Sequence, residues 1–356
     1  MTLQAAENFR LTVLNPGGRD PEQQFQSVPA PGEGPHSPIN FHAFAACTSG
    51  AFHRDTRCAL NEKTPVLLLL RGDFRASERA LNALKQEGRL VAVSLKETGL
   101  HQIAQQLRDA GKLSRFVKIV TQADACIATT PEAAEIYQRI RSRHRPVTST
   151  FMPTPYPIED QRWDFSVPSN EQSGIFVGTR EWDIPSRNHF AAVLLARQLS
   201  EATGEPVTIV NLDGHKGNRL LGELRFPEGK LRLIEKWLAY RDYLREVARH
   251  KLILQLDRSR VPGQVAGDAL LCRLPCVGGD GAIERIGFSK TCGEGRTFNE
   301  VDAIALDLLK NPELRDTVVA QSQECAREQL SFQTVHSQLA SFFARLEHTK
   351  TRELEN

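Results

Sequence analysis

The stretch Ala123-Asp124-Ala125-Cys126-Ile127-Ala128-Thr129-Thr130-Pro131-Glu132-Ala133 decides how this chain folds. A short apolar strand over Ala125 to Ala128 ends in two hydroxyls, and Pro131 opens a helix where a missing N–H costs least. Such a strand-to-helix turn is expected to point unsatisfied N–H groups, and the positive end of a helix dipole, into a crevice. The turn is informative because of its setting: both halves of the chain read as alternating strands and helices, the pattern of a parallel sheet covered on both faces.

Upstream, the strand Leu11 to Leu14 runs into Asn15-Pro16-Gly17-Gly18-Arg19-Asp20-Pro21, where backbone amides can approach a ligand closely. Ser27 to Pro38, rich in Pro and Gly, reads as a surface loop. A segment around Phe41 to Phe52 follows, then a strand Val66 to Leu70, a helix from about Ala76 to Glu87, a strand Leu90 to Leu95 and a helix from about Leu100 to Ala110. Pro146 through Ser173 holds five prolines without helical period and marks a linker.

The second half starts with a strand Gly174 to Val177 and a helix from about Asn188 to Ala202. A strand Val207 to Asn211, an amphipathic helix over about Leu231 to Arg249 and a strand Leu252 to Leu256 come next. A helix from about Gln264 to Cys272 and a strand Pro275 to Val277 complete the alternation. Val301 to Lys310 and Pro312 to Gln329 read as closing helices. The expected fold is α/β, two Rossmann-like domains with parallel sheets facing a central cleft. Residues 1–150 form the first domain, 151–173 the linker, 174–330 the second domain, and 331–356 a helix crossing back to the first.

Composition narrows the partners. At 356 residues, with 40% hydrophobic and 25% charged content, the chain is large enough for two domains. Its net charge is +2, from 45 basic against 43 acidic residues, so there is no field to hold nucleic acid. Seven cysteines, an odd number scattered through apolar elements, fit reduced cytosol better than a disulfide framework. The N-terminus carries no basic apolar signal, and the longest apolar run, Pro65 to Leu70, is too short to span a bilayer. The expected location is cytoplasmic.

Four stretches of the second half carry a family resemblance. They are Ile175-Phe176-Val177-Gly178-Thr179-Arg180 with Arg187-Asn188, Pro262-Gly263 through Asp268 to Val277, Gly278-Gly279-Asp280-Gly281-Ala282-Ile283-Glu284, and Leu308 through Arg315. In this order they resemble the C-terminal domain of retaining glycosyltransferases with the GT-B fold, family 4 or "group 1", over nearly all of residues 174 to 345. The resemblance implies a nucleotide-diphosphate sugar as donor, transferred with retention and without an obligatory metal; the chain has no Asp-x-Asp motif. It implies that Asp268 accepts from the ribose hydroxyls, that Arg180 and Arg187 neutralise the pyrophosphate, and that Gly263, Gly278 and Gly279 let main-chain amides reach the phosphates. Arg260 stands where the family has an acid that contacts the transferred sugar, and Arg273 replaces a usual glycine.

In the first half, Gly17-Gly18 matches the family's glycine-rich loop, and the turn Ser94 to Thr98 occupies the place of a His or acid near the reacting carbon. Lys96 and Glu97 are the catalytic candidates there, with Arg260 across the cleft and His101 one turn beyond. The acceptor is a glycan, lipid or small molecule. A nucleotide-sugar 2-epimerase of the same fold, and a degenerate GT-B binding module without activity, are the alternatives.

Blander readings cover other features. Arg19 and Asp20 offer groups to an acceptor, but an Arg-Asp-Pro sequence after two glycines is also ordinary turn chemistry. Arg71-Gly72-Asp73 follows a buried strand and is no adhesion motif. Cys272, Cys276 and Cys292 read as core thiols, their spacing fitting no four-ligand metal pattern. His42, His53 and His215 read as isolated structural residues. The basic bias of Lys230 to Lys251, with Trp237, Tyr240 and Tyr243, leaves peripheral membrane contact open, but Glu235, Asp242 and Glu246 dilute it and a solvated helix is the simpler reading.

Overall fold

Two sheets of parallel strands carry the fold in a computed structural model that describes residues 8–142 and 148–355. The chain divides into two units: one runs to Pro157 and resumes at Gln329, the other is Ile158–Glu328. The division falls inside the proline-rich stretch expected as a linker. Pro146 of that stretch lies outside the described residues.

In the first unit, β1 (Thr12–Leu14), β2 (Gln23–Gln24), β3 (Ala51–His53), β4 (Val66–Leu70), β5 (Val91–Leu95), β6 (Ala125–Ala128) and β7 (Ser149–Phe151) form a sheet in the order β2-β3-β1-β4-β5-β6-β7. Only β2 runs antiparallel among these pairings. The unbroken apolar run of β4 follows from burial on both faces. Leu67 and Leu69 face Phe44 and Phe343 of the helices Asn40–Cys47 and Phe332–Glu355, while Val66, Leu68 and Leu70 join the cluster of Phe74, Phe116 and Tyr137.

The segment around Thr129 and Thr130 folds as β6 followed by the helix Pro131–Arg141. Its turn differs from the expectation in one respect. Thr130 caps the helix itself, its Oγ1 accepting from Ala133 N at 3.2 Å, and the Thr129 hydroxyl bonds that of Thr98 at 2.8 Å. Both threonines are buried, so the helix start is closed by its own cap rather than open to a ligand.

In the second unit, β8 (Ile175–Val177), β9 (Val207–Val210), β10 (Leu231–Ile234), β11 (Leu252–Leu254) and β12 (Cys276–Val277) are all parallel, in the order β10-β9-β8-β11-β12. The expected amphipathic helix over 231–249 is here a strand, Leu231–Ile234, a loop, and the shorter helix Tyr240–Val247. Leu231 to Ile234 pair in register with Val207 to Val210. Tertiary pairing overrides the helical spacing of the downstream apolar residues. With that helix dissolved, Trp237 stands on the loop, apart from Tyr240 and Tyr243.

Both sheets reverse direction of winding. In the first, β3 and β4 lie on opposite sides of β1; in the second, β9 and β11 lie on opposite sides of β8. The crevice outside the carboxyl ends of strands at such a point is where open α/β sheets bind ligands.

Candidate functional site: the carboxyl edges of the two sheets

The loops leaving β8, β11 and β12 bring together seven of the expected site residues: Arg180, Arg187, Arg260, Gly263, Asp268, Gly278 and Gly279. Asp268, on the helix Gln264–Cys272, is 2% exposed and accepts a hydrogen bond from the Tyr240 hydroxyl. Burial pushes its pKa up to about 7, against the pull of the Tyr240 hydrogen bond and the Arg180 charge. Arg180 is itself exposed, its guanidinium 5.1 Å from the centre of the Trp237 ring.

Gly278 holds φ 78°, and a Cβ there would overlap the carbonyl oxygen of Gln255, so only glycine fits. Its N–H donates to Thr291 O at 2.9 Å and is not available to a phosphate, contrary to the expectation. Gly279, at φ 70°, has no hydrogen-bond partner for its N–H among the described residues. Gly263 makes room for Glu284, whose Oε2 a Cβ would meet. Glu284 is 1% exposed, accepts from Gln255 Nε2 through Oε1, and is pushed by burial to a pKa of about 8.

Arg187 stands differently from the sequence expectation. Its guanidinium is paired with the buried carboxylate of Asp257, which also accepts from Ser259 N at 2.7 Å. Arg187 thus fixes the turn after β11. Arg260 sits in that turn at φ 49°, its N–H donating to Asp280 Oδ1 at 3.0 Å and its guanidinium 3.8 Å from Asp280 and 3.6 Å from Glu294. His189 opens the helix that follows β8; its Nδ1 lies 3.0 Å from Thr179 Oγ1, and burial lowers its pKa to about 4, keeping the ring neutral.

In the first unit, Gly17 and Gly18 follow β1, and Arg71 Nη1 donates to Gly17 O at 2.7 Å. Lys96, after β5, is paired with Asp20, which also accepts from Asn15 Nδ2 at 2.9 Å. Burial raises the Asp20 pKa, but the Lys96 hydrogen bond and charge, with His42 and His36, bring it below the ordinary value. The turn carrying Arg19 and Asp20 is therefore tied across the sheet edge. Glu97 is exposed, and its side chain is outside this network. His42 is not isolated: it stacks between His36, at 4.0 Å, and Phe52, at 3.7 Å.

The sequence assigns no site role to Tyr240, Asp257, Glu284 or His189, since nothing in their local spacing tells a buried acid or ring from a solvated one. All seven cysteines are free, Cys272, Cys276 and Cys292 among the buried ones. Among the described residues no group of three or more His, Cys, Asp or Glu side chains could hold a metal ion. No helix among them is long and apolar enough to cross a membrane.

No protein-family model and no curated protein sequence matches the chain. Solved structures do. A point mutant of S. aureus TarM, in complex with fondaparinux, alpha-GlcNAc-glycerol and UDP, superposes with a TM-score of 0.58 at 12% identity, covering 78% of this chain and 55% of that one. An E. coli trehalose-6-phosphate protein bound with UDP-2-fluoro glucose gives 0.62 at 11% identity, over 81% of this chain and 74% of that one. The chain has the GT-B fold. It spans little more than half of TarM. The N-terminal domain of a Candida albicans trehalose-6-phosphate phosphatase also matches, at 0.60 and 9% identity over 82% of this chain and 73% of that one. Proteins of different names share this likeness, so the reaction has to be argued from the site.

Proposed function

We propose that the chain is a glycosyltransferase that binds a nucleotide-diphosphate sugar in its second unit and passes the sugar to an acceptor. The observation that carries this reading is what the carboxyl edge of the second sheet presents: an exposed guanidinium (Arg180) whose charge reaches a buried carboxyl (Asp268), and, past β12, an unengaged left-handed amide (Gly279). A nucleotide sugar presents a ribose diol and a pyrophosphate that complement such a set. Two GT-B neighbours hold UDP or a UDP-sugar analogue, which supports a nucleotide sugar as donor.

In this reading Asp268 accepts from the ribose hydroxyls as a carboxylate, so binding draws off its proton. Arg180 and the Gly279 N–H face the pyrophosphate, and as the bond to the sugar breaks they stabilise the negative charge developing on the leaving oxygen. Gly263 and Gly278 hold the two loops in place. Arg187 works indirectly, neutralising Asp257 beneath the site so that no bare carboxylate opposes the phosphates. Arg260 and Asp280 together stand toward the sugar, in place of one acid. Gly17, Gly18, Lys96 and Glu97 belong to the acceptor side. Retention, independence from metal and a cytoplasmic setting complete the proposal; they rest on the sequence resemblance, the lack of an Asp-x-Asp motif and the unpaired cysteines.

Calorimetry with a panel of nucleoside diphosphates and nucleotide sugars tests the reading. Micromolar binding of one class by the wild type, weakened in Asp268→Ala, supports it; no binding by any member overturns it. Conversion of donor alone, without acceptor, would assign the epimerase activity instead.

A further inference from the structure

Trp237 is the most exposed of the large apolar side chains among the described residues, with 74% of its surface in water. An indole is the largest apolar group to leave so open, and no cluster of neighbours accounts for it. Glu235 and Lys236 beside it are exposed and charged, and Leu238 is half-buried, so it is a single ring rather than part of an apolar patch.

Its position is specific. Trp237 lies past the carboxyl end of β10, and Arg180 past that of β8, with β9 between them. The two loops meet above the end of β9, where the Arg180 guanidinium lies 5.1 Å from the indole centre, a cation–π distance. Three residues beyond Trp237, Tyr240 holds Asp268, and the Arg180 charge is felt at that carboxyl. One short path along the sheet edge therefore carries an open aromatic face, a cation and a carboxyl.

We propose that the Trp237 indole is the stacking platform for the base of the nucleotide. The inference rests on the donor reading above and extends it to the base. A purine or pyrimidine is flat and presents a π-face whatever its hydrogen-bonding edge, so the ring face opposite Arg180 contributes affinity without selecting among bases. Arg180 is shared between the ring and the phosphates, which places the base and the diphosphate on either side of one guanidinium.

The experiment measures binding of UDP, GDP, ADP and inorganic pyrophosphate to the full chain, wild type, Trp237→Ala and Trp237→Phe, by calorimetry and by intrinsic fluorescence. Trp163 is 1% exposed and Trp182 half-buried, so the solvent-exposed emission comes from Trp237. The expected result is quenching of that emission by a nucleoside diphosphate, about tenfold weaker binding in Trp237→Ala, and most of the affinity kept in Trp237→Phe. Pyrophosphate should bind wild type and Trp237→Ala equally. Unchanged nucleotide affinity in Trp237→Ala overturns the inference and leaves the donor reading standing. An equal loss for pyrophosphate also overturns it, because the indole would then act only by holding Arg180. A wild type that binds no nucleotide removes both.

Discussion

The carboxyl edges of the two sheets share a topology and differ in how they treat charge. After β1 and β5, Asp20 sits half in solvent and keeps its charge because Lys96 is paired with it. After β8, β11 and β12, Asp268 and Glu284 are sealed from water, and burial raises the pKa of each well above the ordinary carboxylate range. One edge uses its charges to hold a loop, and the other keeps carboxyls in a state that a ligand can change. A sealed carboxyl beside an exposed guanidinium suits a diphosphate and its ribose, whereas the first edge engages its cation with Asp20, and this difference supports reading the second unit as the donor side.

The difference can be tested first at glycines. Gly278→Ala should cost roughly 3 kcal/mol of stability or more, since it adds a Cβ at φ 78° against the Gln255 carbonyl. Gly17→Ala, at φ 72° with Ala76 Cβ 3.9 Å away, should cost only about 1 kcal/mol. Denaturant midpoints measure both, and equal losses would erase the contrast.

Next in size is Arg180→Ala, expected to weaken nucleoside diphosphate binding by roughly ten- to a hundredfold, the worth of a charge-assisted contact. Lys96→Ala should leave that affinity unchanged while lowering turnover. A comparable loss of affinity in both variants would mean that the first unit contributes to donor binding.

The pH response gives a third separation. In the native state Asp268 titrates near 7 and Glu284 near 8, against ordinary values of 3.8 and 4.5. Between those limits the folded chain holds protons that the unfolded chain has lost. Stability linked to these groups is therefore complete below about pH 4, falls across the window between the two values by up to about 1.4 kcal/mol per pH unit for each group, and levels off above 7 to 8. Asp268→Asn and Glu284→Gln should each flatten the slope of unfolding free energy against pH. Nucleotide affinity should move the other way, strengthening from pH 6 to 8 as Asp268 ionises more readily, and Asp268→Asn should abolish that gain. The smallest effect belongs to the Lys96–Asp20 pair, partly exposed on both sides, whose removal should change stability by less than about 1 kcal/mol.

Much of the architecture was legible because strands buried on both faces write themselves as apolar runs, as in Val66 to Leu70, and because helix starts such as Thr130-Pro131 carry their own chemistry. The strand Leu231–Ile234 was not legible: four residues of alternation were absorbed into the helical spacing of Tyr240, Tyr243, Leu244 and Val247 that follows. The helix Ala110–Gln122 was also missed, its apolar stripe of Phe116, Ile119 and Val120 interrupted by Lys112, Arg115 and Lys118. At the site, the stretch around Asp268 could be read, but the partners that give it meaning could not. Tyr240 lies 28 residues away from Asp268, and Asp257 lies 70 from Arg187. Whether a carboxyl is charged or sealed depends on such long-range contacts, and a linear pattern does not contain them.

The central claim is that the carboxyl edge of the second sheet grips a diphosphate. A crystal structure of the chain grown with UDP or GDP tests it most directly. The account predicts the pyrophosphate within hydrogen-bond reach of Arg180 and Gly279 N, with the ribose on Asp268. Nucleotide bound elsewhere, with Asp268 still sealed against Tyr240 and Arg180 untouched, would contradict it.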